Sequence, residues 1–407
     1  MKDTNRATRI RWFYLAVGVV AMLFAGILYA WSILKVPFGT EFGWGKSDLA
    51  LNFTIAMCFF CLGGLLGAQI SKKVGYRLAI IASGILTAVG FGLTSVLSAS
   101  RIVGLYVTYG VLAGLGIGIC YNVVIATVSS WFPDKKGVCS GCLMMGFGAS
   151  ALVLGNLADS LFKSALGWRG TYIALGLAIG VVQILAALLL KKPGETTVLP
   201  EGKKNRTAVS ETFEQRDYTS GQMIRRPAFR MAFVSIAFLA AVGSSVISFA
   251  KDLALSVKAP EALAVTLVGV LSVCNGIGRI LTGAVFDVLG RKKTMVCANI
   301  LTICAAGMTL LAVSMGSLLL CIVGLCLTGL SYGSCPTITA AFTSSFYGMK
   351  HFSDNMAIMT FNVMGGSLIA TLASKLLEYG GSYTAPFVML LGLTVVALVI
   401  NLCIRKP

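Results

Sequence analysis

The chain has 407 residues, of which 57% are hydrophobic and 12% charged, against the roughly 25% charged residues of an ordinary soluble domain. That balance excludes a soluble globular protein and puts most of the chain in lipid. A formal net charge of +18 would point to nucleic acid in a soluble protein, but here the bases are distributed by topology, and no nucleic-acid partner is expected.

Apolar stretches of about 20 residues match the length that a ~30 Å hydrocarbon core demands of a helix. They predict twelve transmembrane helices over 12–35, 50–71, 78–99, 102–128, 138–162, 170–190, 229–250, 262–285, 294–315, 317–343, 354–377 and 384–404. The first exceeds the ~7–15 residue apolar region of a secretory signal, and no small-residue cleavage site follows before Glu41, so it is expected to be retained. Between the sixth and seventh lies the one long polar segment, with Pro193, Gly194, Pro200 and Gly202, which reads as a flexible linker. The expected organisation is a six-helix half over 1–190, a linker over 191–227 and a second six-helix half over 228–407.

With one loop between successive helices, 24 of the 33 Lys and Arg fall at the termini, in the linker and in the loops on that face. Eight lie near the other face and one, Arg279, inside a span. By the positive-inside rule both termini and the linker are expected in the cytoplasm, in a multi-pass protein of the cell's inner membrane that contacts anionic lipid. The twelve cysteines lie almost entirely in apolar stretches and pack as small hydrophobes; Cys58 and Cys61, one helical turn apart, have no His or carboxylate beside them, so no metal or cofactor is expected. His351 falls in a loop and is expected to be solvated. No nucleophile, base and orienting group converge on any segment, so an enzyme is not expected.

Shifting the chain by 215 residues lays Gly114, Leu115, Gly118 and Cys120 on Gly329, Leu330, Gly333 and Cys335. The same shift lays Lys135 on Lys350, Gly75 on Gly290 and Arg77 on Lys292. One constant offset serving distant segments predicts two parallel six-helix repeats, an arrangement in which the substrate site is expected near the bilayer midplane between the halves.

The eighth helix holds the residue with the clearest chemistry. Arg279 stands eight residues before Asp287, about 12 Å along a helix, and so well inside the span. A charge there costs at least about 2.5–3.5 kcal/mol, and intramembrane ionisable residues by default mark a substrate path. The alternative is an arginine that snorkels to the headgroups or braces the bundle. Gly276 and Gly278 leave room beside a guanidinium that can grip a carboxylate through two parallel hydrogen bonds, which points to an anionic substrate.

The loop after this helix, Gly283 to Lys292 with Asp287, Gly290 and Arg291, resembles the loop motif of the major facilitator superfamily, a conformational switch in that fold. Its glycines suit close packing and a tight turn. In the first half the counterpart keeps Gly75 and Arg77 but has Lys72 where the motif has its acid. The fold class this implies is an all-α membrane protein of the major facilitator fold. Further segments resemble the oxalate/formate antiporter family, itself similar to monocarboxylate transporters: Arg11 to Tyr14, Tyr29 to Trp31, Trp131 to Gly137, Asp217 to Gly221, Asn275 to Arg279, and Tyr332 to Pro336.

That resemblance implies Arg279 as anion anchor, with Tyr29, Tyr121 and Tyr332 as hydroxyl-bearing walls. Where the oxalate carrier has aromatic residues on helices 5 and 10, this chain has Phe147 and Thr328; where it has a second cation, a lysine on helix 11, this chain has Val363. One fixed charge suits one carboxylate, since a dianion would leave a charge uncompensated at several kcal/mol. The expected activity is alternating-access transport of a small monocarboxylate of the lactate, pyruvate or formate class, by symport or exchange, in a monomer. Oxalate/formate exchange and a carboxylate-binding membrane sensor are the rival readings. Asn122 and Asn362 are candidates for either ligand or helix-packing contacts, Asn275 for orienting the guanidinium, and Lys35 for snorkelling at the outer end of helix 1. The acid that proton-coupled relatives place one turn from the arginine is replaced by Asn275, so a proton is a candidate co-substrate with no assigned carrier; Asp159, Asp252 and Glu261 are expected toward the outer face.

Overall fold

The computed structural model describes residues 2–99, 102–132, 136–194, 217–348 and 351–404. Among them are twelve helices long and apolar enough to cross a membrane. In the first unit these are α1 Ile10–Phe42, α2 Lys46–Lys73, α3 Tyr76–Ser95, α4 Ile102–Ser129, α5 Gly141–Phe162 and α6 Gly167–Leu189. In the second they are α7 Pro227–Ser256, α8 Glu261–Phe286, α9 Lys292–Met315, α10 Leu318–Tyr347, α11 Asp354–Gly380 and α12 Thr384–Cys403. Two compact units result, Met1–Lys204 and Asn205–Pro407.

The helices are built for lipid. On α6 the exposed residues include Ile173, Leu177, Val181, Leu185 and Leu188, while the buried face carries Gly176, Gly180, Gln183, Ala186 and Ala187. Lipid tails are as apolar as leucine, so large apolar residues gain nothing by packing inward, and helix contacts rest on small residues and close backbone approach. Helix irregularities are repaired by side chains, as lipid offers no hydrogen bonds. α1 tightens into a 3₁₀ turn at Gly26–Ala30 and is broken again at Lys35; around these breaks the Trp31 indole donates to the Leu49 carbonyl at 2.9 Å and the Tyr172 hydroxyl to the Leu34 carbonyl at 2.9 Å.

The 215-residue repeat is structural. A methyl group at Gly114 would strike the Ala56 carbonyl, and one at Gly329 the Leu271 carbonyl, which is Ala56 shifted by 215. Gly118 lies against the Phe60 carbonyl and Gly333 against the Asn275 carbonyl; Gly63 lies against the Leu115 carbonyl and Gly278 against the Leu330 carbonyl. Each pair keeps the offset, so α4 crosses α2 by the same three glycine contacts with which α10 crosses α8. The turns at Gly75 (φ +91°) and Gly290 (φ +71°) also correspond, and both need a residue without a Cβ.

Three sequence expectations change. α7 continues past residue 250 to Ser256 with a kink at Phe249, because Lys251 is enclosed at 3% exposure and paired with Glu261 at 3.4 Å rather than ending the helix. Lys35 is likewise 5% exposed and does not snorkel into water. Residues 217–226, read as flexible linker, are ordered and include a helix, Ser220–Arg225, opened by a Thr219/Gln222 capping box; the linker residues 195–216 lie outside the described residues.

Glycine crossings of this kind make a sharp stability prediction. Gly333→Ala and Gly118→Ala are expected to lower the thermal unfolding temperature in detergent, the strain of overpacking being about 1–3 kcal/mol or more. Gly307→Ala and Gly392→Ala, where an added Cβ meets nothing within 4 Å, are expected to be neutral or to stabilise by up to about 1 kcal/mol. Equal shifts at all four sites would contradict the packing account.

Candidate functional site

In the second unit the site is assembled on the α8–α10 crossing. Because Gly333 presents no side chain, the α10 backbone reaches the turn of α8 that carries Asn275 and Arg279; a Cβ there would stand 3.1 Å from the Arg279 nitrogen. The Thr337 hydroxyl donates to the Arg279 carbonyl at 3.3 Å and the Thr282 hydroxyl to Ser334 at 2.8 Å, pinning the two helices below the crossing. Arg279 is 8% exposed, Asn275 1% and Tyr332 4%. The Tyr332 ring rests on Gly243 of α7, where any Cβ would overlap it.

Most helical hydroxyls in this unit donate to the carbonyl four residues back, among them Thr294, Thr302, Thr309, Thr339 and Thr343. Ser272, on the Asn275–Arg279 face of α8, does not, nor do Ser244 and Ser245 on α7. Their hydroxyls and both amide atoms of Asn275 are buried with no hydrogen-bond partner among the described residues. Asn275 therefore does not orient the guanidinium through a hydrogen bond in this structure. Each buried polar atom left so costs about 1–3 kcal/mol, and such groups in native proteins belong with a ligand or ordered water. None of the three serines stood out in the sequence; the signal is the missing back-bond, which only coordinates supply.

Other candidates have defined roles. Thr328 is fully buried and donates to the Gly324 carbonyl at 2.8 Å, so its proton is committed to the helix. Asn362 donates to the Thr339 hydroxyl at 3.1 Å, a contact between α11 and α10. Val363 is half-buried. At the loop motif Gly290 makes the turn, whereas Gly283 has nothing within 4 Å of where a Cβ would stand, so close packing is not its role. The side chains of Asp287 and Arg291 lie outside the described residues.

In the first unit three candidates meet. The Tyr29 ring, set by the 3₁₀ turn, lies edge-on to Phe147 at 5.2 Å, and Tyr121 lies edge-on to Phe147 at 5.2 Å. Phe60 completes the group, 5.1 Å from Tyr121 and 6.0 Å from Phe147. Gly26 makes the cluster possible by letting α1 close on the Phe147 carbonyl. Phe60 was not singled out in the sequence, although the 215-residue shift lays it on Asn275, as it lays Gly64 on Arg279. Tyr121 is half-buried, and Asn122, exposed, lies 3.7 Å from where a Gly64 Cβ would be.

The acids expected toward the outer face are engaged: Asp159 pairs with Lys163 at 2.8 Å and Glu261 with Lys251. Burial, and then the neighbouring Asp252, push the Tyr383 phenol above its ordinary pKa.

The sequence pattern of the Major Facilitator Superfamily matches residues 13–371 and 233–407. The chain belongs to that superfamily. Two solved structures share the fold: a bacterial homolog to the human lysosomal transporter Spinster, inward-facing and unoccupied (TM-score 0.71, 14% identity, 96% of both chains), and the nucleoside transporter NupG (TM-score 0.73, 13% identity, 97% of this chain and 100% of that one). The oxalate:formate antiporter of Oxalobacter formigenes is 28% identical over 90% of this chain and 85% of its own. Monocarboxylate transporter 12 of Homo sapiens is 27% identical over 88% of this chain and 73% of its own. This major facilitator is thus a multi-pass membrane protein of the transporter class.

If the buried amide of Asn275 serves a ligand rather than the fold, Asn275→Leu should raise thermal stability without substrate, by about 1–2 kcal/mol, by removing unsatisfied polar atoms of similar volume. Scanning calorimetry or fluorescence melting checks this; a clear fall in stability would mark Asn275 as a packing residue.

Proposed function

We propose that the chain is a secondary transporter of small monocarboxylates, working by alternating access as a symporter or exchanger. The observation that carries this reading is Arg279, a guanidinium 8% exposed inside α8, on one helix face with the unpartnered polar atoms of Asn275 and Ser272. A planar fork grips one carboxylate through two parallel hydrogen bonds, and buried polar groups beside it suit an uncharged oxygen on the adjacent carbon. That favours lactate and pyruvate over formate. Likeness to an oxalate:formate antiporter and to a monocarboxylate transporter supports an anion of this size. Oxalate/formate exchange is the second reading, disfavoured because Val363 supplies no second charge.

The asymmetry of 24 basic residues against eight supports termini and linker in the cytoplasm; a reporter at Lys203 reading from the opposite side would refute that orientation.

Proteoliposome uptake with labelled carboxylates, with and without a pH gradient, tests the function. Wild type is expected to take up lactate, and lactate to compete at least about tenfold better than propionate, which has the same shape without the hydroxyl. Arg279→Lys should nearly abolish uptake at normal membrane abundance, because an ammonium cannot reproduce the fork. Val363→Lys should shift preference toward oxalate and weaken lactate uptake. Better uptake of oxalate than of any monocarboxylate by wild type would overturn the single-charge argument.

A further inference from the structure

Two segments singled out in the sequence, 217–221 and the residues from Trp131, lie outside the candidate substrate site built on Arg279. In the second unit the extended residues 217–219 lie across the linker-side end of α10. The Tyr218 N–H donates to the Tyr347 carbonyl at 3.0 Å. The Asn355 amide donates to the Tyr218 carbonyl at 2.9 Å, and the Ser220 hydroxyl donates back to the Asn355 amide oxygen at 2.9 Å. Asn355 and Tyr347 are fully buried. The Tyr218 ring stands edge-on to Tyr347 at 5.7 Å, with the Arg226 guanidinium over it at 5.2 Å. Gly348, at φ +79°, lies directly against the Asp217 carboxylate, so no side chain fits there.

Asn355 belongs to a separate piece of α11. The helix runs Phe352–Thr360, turns at Phe361 and resumes as Asn362–Gly380. Above the turn, Gly365 and Gly366 seat α11 on Ala237 and Ala240 of α7. Below it, the hydrogen bonds just described tie the nine residues of Phe352–Thr360 to the 217–220 segment. One helix thus has two anchors with a break in its regular hydrogen bonding, at Phe361, between them.

In the first unit the end of the corresponding helix holds the chain through different contacts. The 215-residue shift lays Arg226 on Arg11, Tyr347 on Phe132 and Phe346 on Trp131. The Arg11 guanidinium stands over Phe132 at 5.0 Å, and the Trp131 indole donates to the Lys191 carbonyl at 2.6 Å. The Tyr76 hydroxyl holds the adjacent Leu190 carbonyl at 3.0 Å. In each unit the end of the same helix of the repeat grips the chain where the linker leaves or arrives.

The geometry points to a strap: residues 217–220 hold the Phe352–Thr360 segment of α11 against the end of α10, with Asn355 as the catch, and release of the catch lets that segment swing about Phe361. Tyr218, Asn355 and Gly348 are then positioning residues of a gate.

Hydrogen–deuterium exchange by mass spectrometry on the full chain in lipid nanodiscs tests this. Asn355→Ala removes both side-chain bonds and is expected to speed exchange at least about tenfold in two places together, around 218–223 and 353–360, with α7 and α8 unchanged. Ser220→Ala leaves the bond to the Tyr218 carbonyl in place and is expected to give a smaller increase, again in both segments. It keeps the test decisive should Asn355→Ala fail to fold. Faster exchange in one segment alone, in neither, or throughout the unit would overturn the strap.

Discussion

The close crossing of α8 and α10 is the contact on which the second unit depends. In lipid there is no hydrophobic drive between helices, so backbones must meet closely enough for dispersion to hold them. Gly278, Gly329 and Gly333 allow that. The same contact sets the turn carrying Arg279 and Asn275 against Gly333 of α10, one residue from Tyr332 and four from Thr337. A side chain at any of the three glycines would move the guanidinium as well as weaken the bundle, so stability and site geometry cannot be varied independently here.

The first unit uses an identical crossing for a different purpose. Gly63, Gly114 and Gly118 repeat the contacts, yet the positions matching Arg279 and Asn275 are Gly64 and Phe60. Where one unit places a cation and unpartnered polar atoms, the other places a glycine and an aromatic ring that packs with Tyr121 and Phe147. One scaffold thus carries a polar site in one copy and an apolar one in the other. Lys72 against Asp287 in the loops extends the asymmetry.

Much of this was legible in the sequence, for a physical reason: a span needs about 20 apolar residues and the chain supplies them in blocks. The repeat was legible because backbone contact tolerates only glycine, and glycine identities survive a 215-residue shift. What sequence could not supply was partnership. The seventh helix was expected to end at residue 250, and nothing in the sequence showed that Lys251, just beyond, pairs with Glu261 ten residues on. Phe60 looked like any apolar residue on an apolar helix. Residues 217–226 looked like linker because they are ordered by hydrogen bonds to Tyr347 and Asn355 and by the burial of only Tyr218 and Met223, too few apolar residues to form a pattern. Thr328 and Ser272 are both buried hydroxyls on apolar helices; only the direction of each hydroxyl separates one committed to its own helix from one that is not.

The central claim is that Arg279 holds the substrate's carboxylate. Carbon-13 NMR of carboxylate-labelled lactate with the purified chain in nanodiscs tests it without requiring transport or a coupling ion. The account predicts saturable binding with a shifted carboxylate resonance in wild type, and loss of both in Arg279→Gln at unchanged thermal stability. Wild-type affinity and the same shifted resonance in Arg279→Gln would contradict it.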